Sequence, residues 1–165
     1  MNPNRLCEIW DAHHARLLLI ARSIDGSVAF PLLEDAVQDA FIELSKQSIE
    51  PRDVMGWLVR VTRNRILDSM RAESRRQRRE AAHGEQRWFR EPDTTADVDA
   101  DQLSQAMETL DELSRQIITM RVWGEMTFDT IADVLDVSSS SAHRHYHLAL
   151  NVLSNQLRRA SDVTR

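Results

Sequence analysis

Apolar positions in this 165-residue chain recur at three- and four-residue intervals along most of its length, as in helices that each bury one stripe. Between Arg5 and Ser23 the stripe is Leu6, Ile9, Trp10, Leu17, Leu18 and Ile20, filled in by Ala12, Ala15 and Ala21. This predicts a first amphipathic helix, ended by a turn at Asp25 and Gly26. Pro31 opens a second helix, because the first turn tolerates a residue without an N–H. Its broad apolar face is Leu32, Leu33, Ala36, Val37, Ala40, Phe41 and Leu44. Ser48 to Gly56, containing Pro51, reads as a loop. From Trp57 a third helix runs toward Arg79, with Trp57, Leu58, Val61, Ile66 and Leu67 on the buried side.

The periodicity fades from Ala81 to about Asp101, where Gly84, Pro92, Asp93, Thr94 and Thr95 have linker character and Trp88 and Phe89 are positioned to pin it to a neighbour. Two helical segments follow between 101 and 122, separated near Asp111. Leu103, Met107 and Leu110 supply one stripe; Leu113, Ile117, Ile118 and Val122 supply the next. Gly124 ends the second and turns the chain. Thr127 caps a short helix from Phe128 to Leu135, and Asp136, Val137 and Ser138 connect it to a final long helix capped by a serine among Ser138 to Ser140. The pattern predicts an all-α protein of two small helical domains, 1–81 and 101–165, joined by a linker at 82–100 and moving relative to one another.

Charge changes this picture by concentrating one sign. From Arg52 to Arg79 there are nine arginines and three acids, inside a chain of net charge −5. Such a patch predicts an anionic partner. Residues 1–90 carry a balance of +2 and residues 91–165 a balance of −7, so a nucleic-acid reader in the second half must work through local geometry. On the second helix, Glu34, Asp35, Gln38, Asp39 and Glu43 form an acidic face that is either merely solvated or a dock for a basic partner. The single Cys7 excludes an internal disulfide framework. No apolar run approaches a membrane span and no secretion signal is seen, so no membrane insertion and a cytoplasmic location are expected.

A short helix, a tight connection and a second helix opening on small hydroxyl residues form a helix-turn-helix pattern. In that geometry the second helix presents its first turns to the major groove. Ser139, Ser140, His143 and Arg144 are then the candidates to reach bases, with Ser141 and His147 at the edge or backbone. Of His143, His145 and His147, only the 143 and 147 pair shares a helix face, and no third ligand has matching spacing. No metal and no cofactor are expected. His13 and His14 are adjacent and so diverge. With no phosphate cradle and no nucleophile and base at useful spacing, the pattern does not point to an enzyme.

Taken in order, these constellations resemble the extracytoplasmic-function group of bacterial sigma factors, in the sigma-70 superfamily. Glu34-Asp35-Ala36-Val37-Gln38-Asp39-Ala40-Phe41 resembles the signature of region 2, and Trp57-Leu58-Val59-Arg60-Val61-Thr62-Arg63-Asn64-Arg65-Ile66-Leu67-Asp68 its following helix. Leu110 to Leu157, including Met126 to Leu135, resembles region 4. The resemblance implies that Asp35, Gln38, Asp39 and Glu43 dock on core RNA polymerase. It implies that Trp57, Arg60, Arg63, Asn64, Arg65 and Arg71 face the opened minus-ten promoter element, and that Ser139, Ser140, Ser141, His143, Arg144 and His147 face the minus-thirty-five duplex. Promoter DNA and an anti-sigma factor are the other implied partners, and the linker would pass through polymerase.

The recognition helix departs from the group in carrying Arg144 as the one arginine between His143 and Leu150. Leu148 and Leu150 are expected to widen an apolar surface that packs on the first domain, the linker or an anti-sigma factor. Two other readings are a helix-turn-helix regulator acting without core polymerase, and a protein-interaction module that has lost DNA reading.

Overall fold

The computed structural model describes residues 1–26, 28–80 and 98–163. Seven helices occupy them: α1 (Pro3–Ile24), α2 (Phe30–Ser45), α3 (Val54–Glu80), α4 (Val98–Glu108), α5 (Glu112–Val122), α6 (Phe128–Leu135) and α7 (Ser139–Val163). The all-α expectation holds, with small shifts at the ends. Asn2 caps α1 by accepting from the Asn4 amide, and the third helix starts three residues before Trp57. Asp53 explains the earlier start: its Oδ1 accepts from the Gly56 amide at 2.8 Å, an N-terminal cap drawn from the loop. Asp111 and Thr127 cap α5 and α6 by accepting from the Ser114 and Thr130 amides. Ser138 caps α7, its Oγ accepting from the Ser141 amide at 3.1 Å. Residues 98–100, assigned from sequence to the linker, already belong to α4. The expectations for Trp88 and Phe89 lie outside the described residues.

The turn after α5 is built differently from the one expected. Glu125, not Gly124, takes the left-handed conformation, at φ 53°. Gly124 serves close approach: a Cβ there would lie 2.5 Å from the Met120 carbonyl oxygen and 3.0 Å from Ile20 Cδ1. The glycine lets the end of α5 sit against α1.

That contact joins the two halves. Helices α1, α2 and α3 pack on one another, α7 packs on α4, α5 and α6, and α1 to α5 and α3 to α6 cross between the sets. One core cluster runs through both, from Ile9, Leu17, Ile20, Ile24, Val37, Leu44, Leu58 and Ile66 to Ile117, Met120, Ile131, Leu135 and Ala142. A smaller cluster of Ala106, Leu110, Ile118, Ala149 and Leu153 holds α4, α5 and α7 together. The expectation of independently moving halves gives way to a shared core, because Ile20, Ile117 and Met120 are wholly buried. Each such side chain contributes about 1.5–3 kcal/mol when removed from water. Polar contacts fix the register: Gln116 Nε2 donates to the Ile24 carbonyl at 3.3 Å, Arg16 pairs with Glu125 at 3.3 Å, and Thr130 Oγ1 donates to Asp53 Oδ2 at 3.1 Å.

Leu148 and Leu150 do not pack across this junction. They are 54% and 37% exposed, on opposite flanks of the stripe of α7 that buries Ala142, Ala149 and Leu153.

His13 is half-buried near the same seam, with Nδ1 shielded and without a hydrogen-bond partner among the described residues. Burial lowers its pKa, Arg16 and Arg5 lower it further, and Asp53 and Glu125 act in the opposite sense. The fold therefore favours the neutral ring.

Two outcomes follow from this core. Ile20→Ala should cost about 2–5 kcal/mol, and hydrogen exchange should show protection falling together in α2 and α6. Loss confined to α1, α2 and α3 would mean that the halves are energetically separate. For His13, the folded pKa lies below the unfolded one, so its contribution is present above the unfolded value and is lost as pH falls toward the folded value. Thermal melting should therefore weaken on lowering the pH from 7.5 to 5.5, and His13→Gln should flatten that part of the profile.

Candidate nucleic-acid interface

The length of α3 gives it three environments. Leu58, Val59, Thr62 and Ile66 are buried, while Arg60, Asn64 and Arg71 are exposed. At about 100° per residue, Trp57, Arg60, Asn64 and Arg71 lie within about 60° of one another. They make one stripe along the helix, with Trp57 half-buried against the core at its start. Arg63 flanks the stripe, half-buried, and its Nε is shielded and without a hydrogen-bond partner among the described residues. That places a guanidinium with unused donor capacity beside the exposed row. Arg71 pairs with Asp68 at 3.0 Å, both side chains largely in water, a contact too exposed to hold it firmly.

Arg65 stands apart, about 140° around the helix from Arg60. Its Nε lies 3.8 Å from Asp39 Oδ2 and its Nη2 3.5 Å from Glu43 Oε1. The structure thus brings a residue expected at DNA onto the acids expected at a protein partner. Asp35, Gln38 and Asp39 are exposed on α2 and Glu43 is half-buried, where Lys46 also reaches it at 3.0 Å. Asp35, Asp39, Arg65 and Asp68 line a shared groove between α2 and α3.

In the second half, α6 and α7 form the helix-turn-helix. Asp136 terminates α6 in the left-handed conformation at φ 57°, which reverses the chain within the three-residue connection read from sequence. Asp tolerates that conformation through its short polar side chain. On α7, Ser140, His143, Arg144 and His147 are exposed on one face, with Ser139 and Ser141 half-buried at its flanks. Ser140 Oγ lies 3.1 Å from Ser138 Oγ. His145 points elsewhere: its Nδ1 is 3.0 Å from Ser114 Oγ, tying α7 to the start of α5. Burial pushes the neighbouring Asp111 carboxyl up, but the Ser114 hydrogen bonds and the charge of His145 outweigh this and hold it below the ordinary range.

Sequence reasoning missed two residues that shape these faces. Arg121 donates from Nη1 to the Met126 carbonyl at 2.7 Å and lies 5.0 Å over the Phe128 ring; that ring meets His143 edge-on at 5.0 Å. Asp53 both caps α3 and receives Thr130 from α6. Arg121 had a faint signal, a cation in the last turn of α5. The Asp53 to Thr130 contact spans 77 residues, beyond any local pattern.

No group of three or more His, Cys, Asp or Glu side chains that could hold a metal occurs among the described residues. No described helix is long and apolar enough to cross a membrane.

Comparison with known proteins agrees with this geometry. Residues 9–76 match the Sigma-70 region 2 family and residues 100–153 the Sigma-70, region 4 family. No curated relative matches the chain. Among solved structures, it is similar to the sigma factor RpoE of Bartonella quintana, crystallised in complex with the anti-sigma factor NepR. That likeness has a TM-score of 0.68 at 18% identity, over 95% of this chain and 98% of the other. With region 2 and region 4 in order over most of its length, the chain belongs to the sigma-70 family.

Proposed function

We propose that this sigma factor docks on core RNA polymerase through Asp35, Gln38, Asp39 and Glu43, and holds the opened minus-ten element along Trp57, Arg60, Arg63, Asn64 and Arg71. Ser139, Ser140, Ser141, His143, Arg144 and His147 face the minus-thirty-five duplex. The observation that carries this reading is the placement of matched region 2 and region 4 on two separate exposed polar faces, one along α3 and one at the start of α7. The proposed domain boundaries lie near 81 and 101. The protein itself performs no catalysis and works in the cytoplasm. Phosphate contacts and captured unstacked bases shift promoter DNA toward the open state, while polymerase forms the phosphodiester bonds.

Arg65 gains a role through its partners. When the acids of α2 engage a basic surface of polymerase, Arg65 loses Asp39 and Glu43 and becomes available to nucleic acid. Docking and DNA holding are thereby linked. An anti-sigma factor is the further partner, supported by the NepR complex of the structurally similar RpoE.

The packed form must open for this work. Two elements centred 25 base pairs apart are separated by about 85 Å of duplex, whereas α3, the longest element at 27 residues, spans about 40 Å. Halves that share a core cannot reach both. Promoter binding therefore competes with the α1 to α5 and α3 to α6 contacts, and the closed state reduces apparent affinity by the fraction that is open.

Run-off transcription from a promoter library by core polymerase, with and without the protein, should give new starts sharing two spaced upstream elements. Arg60→Ala with Arg71→Ala should reduce those transcripts by about tenfold or more without weakening core binding; full activity of that variant would remove the α3 stripe from promoter opening. Absence of core binding by the unaltered protein would favour a regulator that acts alone. Gly56→Ala places a Cβ 2.6 Å from both Asp53 Oδ2 and Thr130 Cγ2. By loosening α3 from α6 it should tighten binding of a promoter fragment carrying both elements by about two- to tenfold. Unchanged affinity would mean that this contact does not limit opening.

A further inference from the structure

The reading face of α7 carries a feature that DNA recognition alone does not require. His143 and His147, one helical turn apart, share a hydrogen bond between their Nε2 atoms at 3.1 Å, a position a metal ion can take in place of the shared proton. Their rings lie 4.4 Å apart between centroids. Both rings are exposed, and each has an aromatic neighbour: Phe128 meets His143 edge-on at 5.0 Å, and Tyr146 meets His147 edge-on at 5.5 Å. Phe128 also lies under Arg121 from α5. Two imidazoles whose nitrogens already lie this close need little rearrangement for chelation.

The separation suits a metal ion. With bonds of about 2.1 Å, two nitrogens 3.1 Å apart subtend about 95° at the ion. That is close to the right angle between neighbouring ligands of a tetragonal or octahedral ion, the geometry favoured by copper(II) and nickel(II) with imidazole. Water fills the remaining positions, because no third protein ligand adjoins the pair among the described residues. Sequence spacing identified the shared face; convergence of the nitrogens depends on rotamers that packing selects.

We propose that His143 and His147 form a two-imidazole chelate for a divalent first-row transition ion, which adds positive charge to the duplex-facing surface of α7. The DNA-facing part rests on the function proposed above. Residues 91–165 carry a balance of −7, and Arg144 is the one fixed cation on the exposed face of Ser140, His143, Arg144 and His147. A bound ion supplies the charge this recognition surface lacks, and its water-bearing positions point toward phosphates or base edges.

The test uses the full chain without an affinity tag and Ni²⁺ alone as the probe. Calorimetric titration at pH 7.5 should show one tight site, weakened about tenfold or more in His143→Ala and in His147→Ala through loss of the second, tethered ligand. With minus-thirty-five duplexes selected from the promoter library, Ni²⁺ at fixed salt should tighten binding on the order of tenfold, as expected for two added charges. The double alanine variant should show no such gain. No stoichiometric binding, or binding unchanged by both substitutions, would overturn the site. Specific Ni²⁺ binding with duplex affinity unchanged would overturn the DNA-facing role while leaving promoter reading intact. Specific Ni²⁺ binding with no duplex bound under any condition would instead overturn the reading of α7 as the minus-thirty-five face.

Discussion

The burial of α5 against α1 is the constraint on which the arrangement depends. Ile20 and Ile24 on one helix and Ile117 and Met120 on the other are removed from water, and Gly124 permits the approach by leaving no Cβ to collide with Ile20. Neither half would bury these surfaces alone. Small helical domains have little core to spare, so a shared apolar seam stabilises both at once and sets where α6 falls against α3. The Asp53 to Thr130 hydrogen bond and the Arg16 to Glu125 pair are consequences of that placement; exposed polar contacts of this kind contribute specificity more than energy.

The same seam separates two uses of the molecule. Packed, it hides apolar surface and keeps the α3 stripe and the start of α7 within one compact body. Engaged on a promoter, those faces must lie far apart, so the free energy of the seam is subtracted from binding. In the proposed assembly polymerase docks on the first half and promoter DNA contacts both, so their combined binding offsets that cost. The junction thus makes joint engagement of both promoter elements costlier than binding of either alone.

Charge placement follows a related logic. Asp39 and Glu43 neutralise Arg65 in the packed protein, while Arg60, Asn64 and Arg71 remain available on another face of α3. A helix that displayed every arginine to solvent would attract any polyanion. On the proposed roles of these faces, pairing Arg65 with the acids of α2 makes part of the α3 surface conditional on what those acids engage. In the second half the deficit is of the opposite kind, with an acidic surround and one arginine on the reading face, and the imidazole pair is the feature there able to recruit positive charge.

Much of this was legible in the residues themselves. Apolar periodicity placed the seven described helices within a few residues, Thr127 marked a helix start by cap chemistry, and the order of the acidic, basic and helix-turn-helix segments pointed to the family. Those signals are local: each depends on residues within a turn or two of one another. Tertiary structure alone decided the shared core, the role of Gly124 in place of a simple turn, the diversion of Arg65 to Asp39 and Glu43, and the exposure of Leu148 and Leu150. The contacts involved join residues 22 to about a hundred positions apart, and their register depends on which stripes pack. Helical spacing says which residues share a face, but the partner of that face is chosen by the packing of the whole chain.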